Sequence, residues 1–179
     1  FNSDERELYF TMDKKEIEVL NNYSINKTRV SFMLHLAYFK AKHQFFSFEF
    51  EDVKNDIKYI LSKFFKTTDS VFGERVTRQT VSRQKKEILG LFGYQEYSAK
   101  KHHLIEAHLC ELLRYYPKGH DTFRQLLAYL DAKKILLPSY RHLQDLFTRA
   151  FARENERLRQ LLKKIPQVYQ KQLLELITR

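Results

Sequence analysis

Between positions 75 and 86 the chain sets five cations, Arg75, Arg78, Arg83, Lys85 and Lys86, in a segment whose apolar residues Val81, Ile88 and Leu91-Phe92 recur at helical spacing. Arg75, Arg78 and Lys86 fall on neighbouring faces of that helix, with Ser82, Arg83 and Gln84 adding hydrogen-bonding groups between them. A guanidinium can grip phosphate or pair bidentately with guanine, and the carboxamide of Gln84 suits adenine. The same side chains would also serve as an ordinary solvated helix face.

A second group, Lys100-Lys101-His102-His103, stands in the first turn of a helix that Ser98 can cap. Cations are disfavoured there by the helix dipole, whereas helix N-termini favour phosphate, so a bound anion would relieve the conflict. Without one, the group is a mildly unfavourable surface. Lys27 and Arg29 open a helix that follows a short helix and a tight turn, as a recognition helix does, and Arg141 with His142 repeats the arrangement after Pro138. Plain helix packing with exposed charges accounts for both equally well.

Other chemistry finds little support. His102, His103, Glu106, His108 and Cys110 lie close in sequence, but only His102 and Glu106 share a helix face, and no second ligand pair with zinc spacing follows. No metal and no cofactor are expected in this chain. Cys110 has His108 near it in sequence only and is expected as a buried thiol rather than a nucleophile. Tyr115-Tyr116 and Phe45-Phe46 could stack on bases, but core packing is the simpler role. No G-x-G-x-x-G, phosphate-cradling glycine loop or paired C-x-x-C is present. No catalytic residue is assigned, and the chain is not expected to be an enzyme by itself.

The elements that must position these residues are helical. Asp4 to Phe10 reads as a short helix, and Asp13 caps a second with Ile17, Val19 and Leu20 apolar. Ser24 or Asn26 caps a strong helix to about Lys42, striped by Val30, Phe32-Met33, Leu36-Ala37 and Phe39. Asp52 to Phe65 follows, then a polar break at Thr67–Ser70 and an ambiguous Val71–Gly73. The helix from about Thr77 to Phe92 ends at Gly93, a natural C-cap. The helix after Ser98 buries Ile105, Leu109, Leu112-Leu113 and Tyr116 and is stopped by Pro117-Lys118-Gly119. Asp121 caps the next, with Phe123, Leu126-Leu127 and Leu130 inward. Ile135-Leu136-Leu137 is too short for an independent strand and reads as a buried link. Ser139 then caps a long helix whose core face is Leu143, Phe147, Ala150, Leu158 and Leu161. Its residues 152–164, charged outside that face, read as an exposed linker. Pro166 restarts an amphipathic segment (Val168, Leu173-Leu174, Ile177), taken as the start of a truncated next domain.

The expected organisation is an all-α fold: a multi-helix bundle over 1–151 with helix-turn-helix-like elements, divisible into sub-bundles 1–66 and 71–151, followed by a linker helix over 152–179. Composition agrees. Hydrophobic and aromatic contents of 43% and 15% are too high for disorder, and 4 Gly and 3 Pro suit helices with short connections. No apolar run approaches the ~18 residues of a membrane span, so no membrane partner is expected. The opening Phe1-Asn2-Ser3-Asp4 has neither Met nor an apolar leader, which suggests a piece of a longer protein without a secretion signal. A lone cysteine, Cys110, fits a reducing, cytoplasmic setting.

Net charge is +10, and it is unevenly spread. Residues 1–60 carry nine basic and ten acidic side chains, a net of −1; residues 75–103 carry seven and two, a net of +5; residues 133–164 carry nine and three, a net of +6. Two such basic blocks attract polyanions, because each phosphate contact releases condensed counterions.

Four stretches resemble, in order, the N-terminal region of class II replicative transposases (TnpA proteins, the Tn-three family). Asp4-Glu5-Arg6-Glu7-Leu8-Tyr9-Phe10 resembles that family's E-R-x-x-L-F start, and Arg29-Val30-Ser31-Phe32-Met33-Leu34-His35-Leu36 its N-R-L-G-F-A-L-Q-L stretch. Glu87-Ile88 with Leu91-Phe92-Gly93-Tyr94 resembles its E-I-x-x-x-L-G followed by an aromatic. Ile135-Leu136-Leu137-Pro138 with Leu143 and Leu146 resembles its L-L-P segment. Ser31 departs from the family's glycine, and Ser82-Arg83-Gln84-Lys85-Lys86 from its basic, histidine-bearing run. The resemblance implies a bacterial, nucleoid-associated protein whose N-terminal region binds the terminal inverted repeats of a transposon as double-stranded DNA. Self-association would come through the full-length protein, and the strand-transfer chemistry would lie far downstream. A basic helical protein-interaction module, the core-binding domain of another recombinase and an RNA-binding protein remain alternatives.

Overall fold

The computed structural model describes residues 1–65, 76–167 and 169, and the protein is all-α. The described helices are α1 (Ser3–Tyr9), α2 (Lys14–Asn21), α3 (Asn26–Lys42), α4 (Phe50–Ile60, running into a π-helical turn Leu61–Phe65), α5 (Arg78–Phe92), α6 (Ala99–Tyr115), α7 (Gly119–Ala132) and α8 (Tyr140–Lys163). Expectations for Thr67–Gly73, for Arg75 and for the segment around Leu173-Leu174 and Ile177 lie outside the described residues. No helix among the described residues is long and apolar enough to cross a membrane. The contacts form two compact units, Phe1–Glu96 with Lys134–Leu136, and Tyr97–Lys133 with the residues from Leu137 onward.

The first unit is organised around α3. Its sequence predicts one apolar stripe, but the structure buries Leu34 and His35 as well as Val30, Phe32, Met33, Leu36, Ala37 and Phe39. A helix apolar almost all round is stable only when surrounded, and α1, α2, α4 and α5 all pack on α3. Short helices need strong starts, and α2 has one. Asp13 Oδ1 accepts from the Glu16 amide at 2.9 Å, while Glu16 Oε2 accepts from the Asp13 amide at 2.8 Å. Lys40 of α3 then donates to the same buried Glu16 carboxylate at 2.6 Å. The start of α3 differs from expectation. Its N-cap is Ile25, without a side-chain cap, and neither Ser24 nor Asn26 fills that role.

At the other end of this unit, α5 closes as its sequence predicts. Gly93 takes φ 70°, the left-handed conformation that favours glycine, and the Tyr94 amide donates back to the Leu89 carbonyl at 2.8 Å. The chain then meets Lys134–Leu136: the Gln95 amide donates to the Lys134 carbonyl at 2.8 Å, and the Leu136 amide to the Gln95 carbonyl at 2.9 Å. Ile135 thus forms a single parallel bridge with Gln95, and Leu136 packs on the core of the unit.

The second unit is α6, α7 and α8 around Ile105, Leu109, Leu113, Leu126, Leu130, Leu143, Leu146 and Ala150. Pairs between α6 and α8 advance together, His102 with Arg149 and Glu106 with Arg153, so the two helices run parallel. Expectations about one helix start and several core residues are corrected here. The N-cap of α7 is Lys118, not Asp121; Thr122 Oγ1 donates to the Tyr116 and Lys118 carbonyls, fixing an earlier start and leaving Asp121 in the first turn. Leu158 and Leu161 are not core residues but 45% and 44% exposed, because the buried face of α8 ends at Glu154. Tyr116 and Phe123 likewise stay partly exposed.

Candidate nucleic-acid interface

In the first unit the candidate cations sit mainly on α5. Gln84 fixes which way that helix faces. Its side chain is fully buried, its Nε2 donates to the Thr28 carbonyl at 2.8 Å, and its Oε1 accepts from the Ser31 hydroxyl at 2.9 Å. Both partners are on α3. Gln84 therefore has no surface from which to reach a base, and its place is structural.

Rotation about the helix axis then leaves Arg78, Gln79, Ser82, Arg83, Lys86 and Gly90 exposed on one side. Arg78 and Lys86 make no ion pair among the described residues. Arg83 lies over the Tyr23 ring at 4.8 Å and 3.8 Å from the Glu87 carboxylate, with its side chain still 60% exposed. Its pKa is raised, first by hydrogen bonding to Tyr23 and then by charge interaction with the same residue, so it stays cationic. Tyr23 itself, donating to Glu87 at 2.5 Å, is pushed up to about 12 by burial and by that bond.

Lys85 is different. It points along the edge of the core, 5.3 Å above the Phe45 ring, and burial lowers its pKa. It is half-buried and stands apart from the solvent face. Arg29 is half-buried too, 5.1 Å above the Phe65 ring and 3.4 Å from Asn21 Oδ1. Lys27 is partly buried. Phe45 stacks on Phe39 with centroids 4.9 Å apart, a core role rather than a base platform.

In the second unit, parallel packing brings the N-terminal ends of α6 and α8 to the same end, around Tyr97. The Tyr97 hydroxyl shares a hydrogen bond with His102 Nδ1, and its ring lies 5.4 Å from that of His142. Neither helix start is capped by a side chain: Ser98 makes no capping bond, and the Ser139 hydroxyl pairs with His142 Nδ1 at 2.7 Å instead. The orphan amides of both first turns are left to solvent or to an anion. Lys100 and Arg141 are exposed there and make no ion pair among the described residues; Lys101 and His102 are partly buried. His102 turns inward, with Nε2 3.3 Å from the buried Glu106 carboxylate, which Arg153 also meets at 2.9 Å.

Arg149 and Arg153, not among the candidates above, line α8 beside α6; their four-residue spacing, continued at Arg157, is the signal for them in the sequence. Gln79, on the exposed side of α5, is a further polar side chain outside those candidates. Cys110 is half-buried, and burial pushes its thiol up. Among the described residues no group of three or more His, Cys, Asp or Glu side chains could hold a metal ion.

Residues 1–150 match the family model described as "Domain of unknown function (DUF4158)". The chain belongs to the DUF4158 family. The match covers the whole first unit and all of the second up to the middle of α8, so every candidate cation named from the sequence lies inside the DUF4158 region, and Arg153 and Arg157 lie beyond it. The chain matches no curated protein.

Proposed function

We propose that this DUF4158 chain is the N-terminal, DNA-binding part of a transposase similar to those of the Tn-three family. In this reading it grips the terminal inverted repeats of a transposon and positions them for a catalytic domain elsewhere. The observation that carries the proposal is the set of exposed cations without acidic partners among the described residues: Arg78 and Lys86 on α5, and Lys100 and Arg141 at the uncapped starts of α6 and α8. Cations in a first turn oppose the helix dipole, and an anion bound there removes the opposition. The order of the sequence resemblances, spread over residues 4–146, supports the transposase assignment.

Phosphate contacts supply affinity in this reading, and the few polar side chains that reach base edges supply specificity. Nothing in the chain is assigned to catalysis. The test is binding to a duplex carrying the terminal inverted repeat of its own transposon, beside a scrambled duplex, across a salt series. Repeat DNA is expected to bind at least ~10³-fold tighter, with log affinity falling steeply against log salt. Equal, weak binding of both duplexes would leave specificity to other domains and reduce this region to an electrostatic aid. No binding at low salt would remove the DNA reading and favour a protein-interaction module.

A further inference from the structure

The solvent face of α5 contains a residue that the fold does not require. Gly90 lies inside the helix, three residues before its C-cap, and is exposed. A Cβ built on it would meet nothing within 4 Å, and its backbone is helical, so an alanine would fit without strain. Glycine within a helix is destabilising relative to alanine. Gly93 differs, because its positive φ favours glycine. Gly90 also stands in a definite place. Arg83, Lys86 and Gly90 follow one another at spacings of three and four, so they form a single stripe.

The residues beside that stripe are Arg78, Gln79 and Ser82. Among them there is no carboxylate and no large apolar side chain; Glu87 stands at the edge, tied to Tyr23 and Arg83. An apolar partner would find nothing to bury on this face. A surface of phosphates would find three cations and two neutral hydrogen-bonding groups. The buried Gln84 holds this face outward by bonding to α3.

We propose that this face of α5 lies in a groove of duplex DNA, with Gly90 at the point where the helix backbone comes closest to the sugar–phosphate chain. The inference rests on the DNA-binding reading above and names the surface that performs it. From Arg78 to Gly90 the helix rises about 18 Å, and a major groove about 12 Å wide accepts a helix of this kind. Arg78 and Lys86 meet phosphates. Gln79 is within reach of base edges, and Arg83 reaches them by swinging from the Tyr23 ring and Glu87; adenine and guanine offer the matching donor and acceptor pairs. The bare backbone at Gly90 removes the side chain that would otherwise hold the helix away from the strand.

This arrangement opposes stability and binding at one position, and the test exploits that. Gly90→Ala and Gly90→Gln are made in the full chain, and thermal unfolding and duplex binding are measured on each. Both variants are expected to unfold about 1–3 °C higher than the parent, as helix propensity dictates for an exposed site. Gly90→Gln is expected to bind duplex at least about tenfold more weakly, with Gly90→Ala intermediate. Lys86→Gln is expected to lower the salt slope by about one phosphate contact, whereas the Gly90 variants leave it unchanged. Stabilised Gly90 variants that bind as the parent does would overturn the inference. So would a parent whose binding is lost on Lys100→Glu or Arg141→Glu yet unaffected at Arg83, Lys86 and Gly90; that outcome keeps the DNA reading and moves the contact to the second unit. A parent that binds no duplex at low salt removes both.

Discussion

Gln84 is held by two hydrogen bonds that reach from α5 to the first turns of α3, and it has no solvent-exposed surface. Buried amides left unpaired are costly, so a glutamine in this position specifies one rotation of α5 against α3. Gln84→Ala would remove the second bond to the Thr28 carbonyl, leave the Ser31 hydroxyl without its acceptor and open a small cavity. A loss of about 2–4 kcal/mol is expected in urea denaturation. A loss under about 1 kcal/mol would mean that α5 is positioned by its apolar contacts alone. The role was legible in principle. Val81, Ile88 and Leu91 lie at positions i, i+7 and i+10 of a stripe whose i+3 member is Gln84. By residue type Gln84 groups with its polar neighbours Arg83 and Lys85, whereas by phase it belongs to the buried stripe. Ser31 is the partner that makes the buried amide workable.

At the level of elements, the helices and most of their ends followed from periodicity and stop signals. The capping box at Asp13 and the glycine closure at Gly93 match expectation, because each depends on residues within one turn. The starts of α3 and α7 do not: Ile25 caps α3 without a side-chain bond, and α7 is fixed by Thr122 bonding back to the Tyr116 and Lys118 carbonyls. The start of α6 is where local preference and charge conflict. Lys100 occupies the second helical position, exposed and without an ion pair among the described residues, above uncapped amides. Lys100→Glu replaces a cation by an anion at the positive end of the dipole and should stabilise the protein by about 0.3–1 kcal/mol. The same change should weaken duplex binding at least about tenfold if phosphate occupies that helix start. Chemical denaturation and binding at one salt concentration check both. Unchanged binding in the stabilised variant would assign Lys100 to the plain surface that sequence alone also allowed.

For the molecule as a whole, the all-α class and the uneven charge were readable from composition and spacing, whereas the grouping of Lys134–Leu136 with residues 1–96 was not, since it depends on a backbone bridge between segments far apart in sequence. The burial of His35 was equally hidden, and it makes the first unit acid-sensitive. His35 is 5% exposed among the rings of Phe45 and Phe48, with no hydrogen-bond partner for Nδ1. Burial first, and then the nearby charge of Lys85, lower its pKa to about 4 from an ordinary 6.5. A histidine with a depressed folded pKa binds its proton more readily when unfolded, so between about pH 6.5 and 4 the unfolded state takes up more protons and stability falls with pH. The contribution is fully present above about pH 6.5 and is lost progressively toward pH 4, to a total of about 3 kcal/mol. Urea denaturation of the parent and of His35→Leu at pH 7 and pH 4.5 isolates it, because carboxylates common to both cancel in the comparison. The parent should lose about 2–3 kcal/mol more than the variant on acidification. Equal losses would show that acid enters the first unit by another route, with the buried Glu16–Lys40 and Asp56–Arg6 pairs the next groups to test.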